Sequence, residues 1–93
     1  MIIDIELENL GTANRNRVTI WTDKGKFYLF FSYQTVVGVE YYWDNSHYKY
    51  CIQNQWSTTT GKLLNEIEPD KKARLTPDEF KAKVNEAMSF ISK

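Results

Sequence analysis

Cysteine, histidine, proline and glycine are all scarce in this chain, with one, one, two and four residues among 93. Cys51 alone cannot form an internal disulfide, which suits a reducing compartment. It sits mid-strand with no histidine at a telling spacing, and reads as a small buried hydrophobe rather than a nucleophile. His47 falls in a turn, and no set of metal-ligating residues accompanies it. No enzyme activity, metal or cofactor is therefore expected. A net excess of either charge is missing as well: twelve basic residues balance twelve acidic ones. That excludes the strong positive field of a protein that holds phosphate backbones by charge, while leaving room for a local basic patch. No run approaches the ~20 apolar residues of a membrane span. The opening "MIIDIELENL" has an acidic residue at every second place where a signal peptide is apolar. A cytoplasmic protein without a membrane partner is expected.

Aromatic residues, by contrast, make up 15% of the chain and apolar residues 42%, enough for one ring-rich core. "IIDIELE" (2–8) alternates, with Ile3, Ile5 and Leu7 on one face and Asp4, Glu6 and Glu8 on the other, the pattern of a half-buried strand. Like charges in a row on an edge strand serve solubility and guard against edge pairing. "RVTIWT" (17–22) alternates again before the turn "DKGK" (23–26). "FYLFFSY" (27–33) and "VVGVEYYW" (36–43) are apolar at nearly every position, so they are covered on both faces or expose a ring-rich one. "DNSH" (44–47) turns the chain, and "YKYCIQNQW" (48–56) returns with Tyr48, Tyr50, Ile52 and Trp56 in step. The connections are too short for helical crossovers, so an antiparallel meander of about five strands is predicted.

After Trp56 the period changes. Leu63, Leu64 and Ile67 fit one side of a short helix that Pro69 ends. In "LTPDEF" (75–80), Thr76 is an N-cap, Pro77 suits the first helical position and Glu79 completes a capping box. Phe80, Val84, Ala87, Met88 and Ile91 then recur at helical spacing. The architecture predicted is a single α+β domain over residues 1–93, with a short helix and a longer C-terminal helix packed on one face of the sheet.

"WSTTTGKLLN" (56–65) is the stretch with most chemistry. Free N–H groups at a helix start attract anions, and hydroxyls with a lysine add donors. The glycine-lysine pair falls short of a phosphate-binding loop, because Trp56 stands where its first glycine belongs and Leu63 where its Ser or Thr belongs. Nucleotide hydrolysis is excluded on that ground. The simpler alternative is a strand-to-helix junction capped by Ser57 or a following threonine, although four hydroxyls exceed what capping needs. A second candidate is the ring-rich sheet. "KGKFYLFF" (24–31) loosely echoes an RNA-recognition strand, and Tyr28, Phe30, Tyr41 and Trp43 are candidates to stack bases on an uncovered face, or to be core.

Three stretches together, "YLFFSYQTVVGVE" (28–40), "NQWSTTTGKLLNEI" (54–67) and "DKKARLTPDEF" (70–80), resemble a family of small proteins from tailed bacteriophages. Its pattern is an aromatic-Ser-Tyr-x-Thr strand, then W-S-x-T-T-G-K-x-L-N, then a lysine-arginine turn and a helix with glutamate and phenylalanine. The likeness covers about residues 27–84; the first two strands match only in character. It implies an origin more than a mechanism, and singles out Tyr33, Thr35, Trp56, Ser57, Thr59, Thr60, Gly61, Lys62, Asn65 and Arg74. Relatives carry a histidine after the lysine where this chain has Leu63, so no role needing an imidazole transfers. The function this implies is a phage accessory protein that binds a host, phage or defence protein in the infected bacterial cytoplasm. The alternatives are single-stranded nucleic acid on the aromatic face, or sequestration of a small anion at the junction. The open sheet edge leaves the oligomeric state undetermined.

Overall fold

A computed structural model describes residues 1–12, 14–56 and 58–92. Five antiparallel strands pair in sequence order: β1 (Ile2–Asn9), β2 (Arg15–Thr22), β3 (Gly25–Ser32), β4 (Thr35–Trp43) and β5 (Ser46–Cys51). α1 (Thr58–Ile67), a single 3₁₀ turn (Lys71–Ala73) and α2 (Pro77–Ile91) follow. The α+β meander with a short and then a longer C-terminal helix is the architecture the sequence predicts.

Local chemistry sets each corner. The Thr22 hydroxyl accepts from the Gly25 N–H at 3.0 Å and donates to the Gly25 carbonyl at 2.8 Å, closing the β2–β3 turn. Asp44 and Asn45 both have positive φ, +50° and +66°, so the two-residue β4–β5 turn twists in the sense the strands require. At α2, the Glu79 N–H donates to the Thr76 hydroxyl and the Glu79 carboxylate accepts from the Thr76 N–H, which is the predicted capping box. The Thr76 N–H and the Thr76 hydroxyl both donate to the Glu79 carboxylate and hold it below its ordinary range.

The helices do not share a face. Strand register puts Ile20, Phe27, Val39 and Tyr41 on one side, and Phe30, Gly38, Glu40 and Lys49 on the other. α2 covers the first: Phe90 lies 5.8 Å from the Tyr41 ring and 5.3 Å from Trp43, and the Lys83 ammonium sits 5.0 Å over Tyr50. α1 covers the second: a Cβ on Gly38 would stand 2.9 Å from Ile67 Cδ1, and Thr60 Oγ1 meets Ser32 Oγ at 2.8 Å. The expectation of both helices on one face is corrected to a three-layer arrangement. Two apolar faces on β3 and β4 need two covers. The chain passes between the faces around the β5 edge, where Leu75 bridges Ile52 in parallel through bonds of 2.8 Å to Cys51 and Gln53.

Two strand expectations also change. The 48–56 strand begins earlier and stops at Cys51, so Trp56 lies off the sheet ladder. On β1, the apolar row Ile3, Ile5 and Leu7 is 63%, 58% and 69% exposed rather than half-buried. α2 packs against β4 and β5 and leaves the far edge uncovered.

The core centres on Phe27, Val37, Val39, Tyr41, Leu63, Leu64 and Ala87. Tyr41 is sandwiched between Phe27 at 5.1 Å and Tyr48 at 4.8 Å, and its buried hydroxyl has no hydrogen-bond partner among the described residues. Burial pushes its pKa up to about 12. An acid whose folded pKa is raised stabilises the fold below its ordinary pKa, and that contribution fades as pH climbs through the folded value. Tyr41→Phe deletes a desolvated hydroxyl without leaving a cavity, so it is expected to raise stability by about 1 kcal/mol in urea titrations. A loss of stability would mean that the hydroxyl is satisfied. Cys51 is also enclosed, and burial pushes its thiol up to about 11. Thiol reagents at mildly alkaline pH are expected to label it only under denaturing conditions; rapid labelling of the folded chain would show that β5 opens locally.

Candidate functional site

The junction between β5 and α1 is built by short-range polar contacts. The Asn54 side-chain oxygen accepts the Trp56 N–H at 3.0 Å, an Asx-type turn that lifts the chain off the sheet. Trp56 emerges from it 46% exposed. Ser57 lies outside the described residues. α1 then starts at Thr58. Thr59 faces solvent, whereas Thr60 is buried and its hydroxyl bond to Ser32 pins the helix to β3. Thr60 is thus a structural tie as well as part of the site's floor.

α1 divides the predicted residues into two groups. On one side, Tyr33, Thr35, Trp56 and Thr60, with Ser32, line a depression of about 450 Å³. Tyr33 occupies the β3–β4 turn at φ +55°, 58% exposed, with its N–H donating to the Asn14 carbonyl at 2.8 Å. A bulky residue in the left-handed region is unusual, and such strain concentrates at functional positions. On the other side, Lys62, Asn65 and Arg74 line a second depression of about 480 Å³, joined by Asn54, Thr58 and Lys71. Gly61 belongs to this wall, and a Cβ there would come within 3.0 Å of the Asn54 amide nitrogen. None of the described residues lining this second depression is a carboxylate.

Arg74 is only 6% exposed. Its Nη2 donates to Asn65 Oδ1 at 2.7 Å and its Nε to the Glu68 carbonyl at 3.0 Å. The guanidinium thereby satisfies a carbonyl orphaned at the end of α1 and fixes the Asn65 amide. Lys71 is the residue that sequence reading missed. The signal was present in "DKKARL", where the Asp70 side chain caps the 3₁₀ turn through the Lys72 N–H and places Lys71 beside Lys62.

The aromatic sheet face is not the one expected. Tyr41 and Trp43 face α2, while Tyr28 and Phe30 face α1's side. The part of that side beyond α1 carries Tyr28 and Tyr42, and charged groups already cover both rings. Arg17 lies 4.9 Å from the Tyr28 centroid, and Lys26 lies 5.3 Å from Tyr28 and 5.5 Å from Tyr42. His47 stacks on Tyr42 at 4.5 Å and its Nε2 meets the Glu40 carboxylate at 2.8 Å.

Among the described residues there is no cluster of three or more His, Cys, Asp or Glu able to hold a metal ion, and no helix is long and apolar enough to cross a membrane. No family model, curated protein or solved structure matches the chain.

Proposed function

We propose that this chain is a non-enzymatic accessory protein of tailed phage that binds a host or defence protein at the β5–α1 junction. The observation that carries the reading is the pairing of Trp56 and Tyr33. Two large, exposed aromatic side chains open on one depression, and neither is needed by the core. Rings of this kind dominate binding energy at protein interfaces. The partner places an apolar side chain against Trp56 and Tyr33, with Thr35 and Thr59 offering hydroxyls at the rim. Lys62 reaches for an acidic group across α1. The phage origin rests on the motif resemblance over residues 27–84.

A second reading, capture of a small anion, is favoured by the convergence of Lys62, Lys71 and Arg74 on one carboxylate-free wall. Nucleic acid on the sheet is less favoured, because Arg17, Lys26 and His47 already lie on the rings a base would use. Recovery of the tagged chain from nuclease-treated bacterial lysate separates these readings. One protein retained in near-equal amount, and still retained at high salt, supports the interface. Material lost to nuclease or to salt overturns it in favour of nucleic acid. Stabilisation of the purified chain by phosphate or nucleotide in a melt, with no protein recovered, moves the function to anion capture.

A further inference from the structure

We propose that the free edge of β1 is a second docking surface, which takes an extended segment of another protein whose side chains alternate basic and apolar. β1 is an outer strand of the sheet. The Leu10 N–H bonds to the Arg15 carbonyl, and antiparallel alternation from that pair turns Glu6 and Glu8 toward β2 and Ile5 and Leu7 outward. The peptide groups of Ile5 and Leu7 thus face the open edge, where an added strand finds its bonds. Their side chains form an exposed apolar row with Ile3. On the opposite face stand Asp4, Glu6 and Glu8, and among the described residues Glu8 alone of these has a salt-bridge partner, Arg17 at 2.7 Å. A side-chain hydrogen bond with Glu8, together with the negative charges of Glu8 and Asp4, raises the Glu6 carboxyl above its ordinary range.

Charge selects the occupant. A second copy pairing through β1 in the antiparallel sense sets the row Asp4, Glu6, Glu8 opposite itself, and directly opposed like charges destabilise a sheet. A strand with lysine or arginine at every second position neutralises that row while its apolar residues extend the row of Ile3, Ile5 and Leu7. The edge also carries its own latch: Asp4 Oδ1 accepts the Ile5 N–H at 2.9 Å and so occupies a donor that an incoming strand needs. A cation opposite Asp4 draws the carboxylate outward and releases that donor, so basic residues both pair with the row and unmask the edge.

The test uses the full chain and three labelled heptapeptides: alternating lysine and valine, alternating glutamate and valine, and the lysines and valines arranged in blocks. The alternating basic peptide is expected to bind at least about tenfold more tightly than either control, a difference of about 1.4 kcal/mol. It is also expected to slow amide exchange at Ile5 and Leu7. Glu6→Lys, at an exposed position, takes the row from three negative charges to a net of one, and is expected to narrow the preference for the basic over the acidic peptide. Equal binding of the three peptides overturns the proposal, as does protection confined to residues outside β1. Concentration-dependent dimerisation of the free chain through the Ile5 and Leu7 amides also overturns it, in favour of a second copy.

Discussion

Gly25→Ala is expected to cost about 3 kcal/mol of stability, the upper end for overpacking in a tight site. An added Cβ would overlap the Tyr42 carbonyl oxygen and stand 2.9 Å from its carbon and 3.2 Å from the Trp43 Cα. Those atoms are backbone, and they belong to a strand laddered on both sides by β3 and β5. No rotamer change relieves the overlap; the register at the Gly25–Trp43 pair has to give. Gly38 provides the contrast. Its added Cβ meets the Ile67 side chain, which can turn aside, and the expected cost is about 1 kcal/mol. Urea midpoints of the two variants check the order. A mild Gly25→Ala would mean that β3 and β4 pair differently at this end.

Trp56→Ala is expected to weaken partner binding by about 100-fold, the effect of removing an interface anchor, while changing stability by about 1 kcal/mol or less. Trp56 is absent from the core cluster and lies off the β5 ladder, so the indole has little folding energy to lose. Leu64→Ala should do the reverse. Leu64 is fully buried on the inner face of α1, and its truncation costs about 2–5 kcal/mol. Comparing melting temperatures with dissociation constants for these two variants separates a contact residue from a core one. A Trp56→Ala chain that melts far below wild type would assign the indole to the core.

Much of this fold was legible because its signals are local. Alternation in residues 2–8 and 17–22, turn residues at 23–26 and 44–47, and the capping box from Thr76 to Glu79 each specify their element without reference to the rest. What could not be read depends on which face is covered. β3 and β4 are apolar on both sides, so their pattern does not say where a helix packs, and α1 and α2 took opposite faces. The end of β5 was hidden because Ile52 and Trp56 keep the strand period past Cys51, where the ladder stops. The apolar row of β1 promised burial, but α2 packs chiefly on β4 and β5 and the row stays exposed.

The candidate site was legible as a list of residues and not as a shape. Thr60 and Lys62 are two apart on a helix, which turns them roughly 200° from one another. One is pinned to Ser32 beneath the helix and the other lines the cationic wall. Linear proximity therefore joined residues that α1 separates into an aromatic and a basic depression. Arg74 and Asn65 stay on one side, where their side chains bond directly at 2.7 Å.

The most direct test of the junction as a contact surface is amide exchange on the full chain, free and saturated with the protein recovered from lysate. Slowed exchange is expected at Tyr33, Thr35 and Trp56 and through the first turns of α1, with the Tyr28 and Tyr42 half of the sheet unchanged. Protection at Tyr28 and Tyr42 with none at the junction would contradict it.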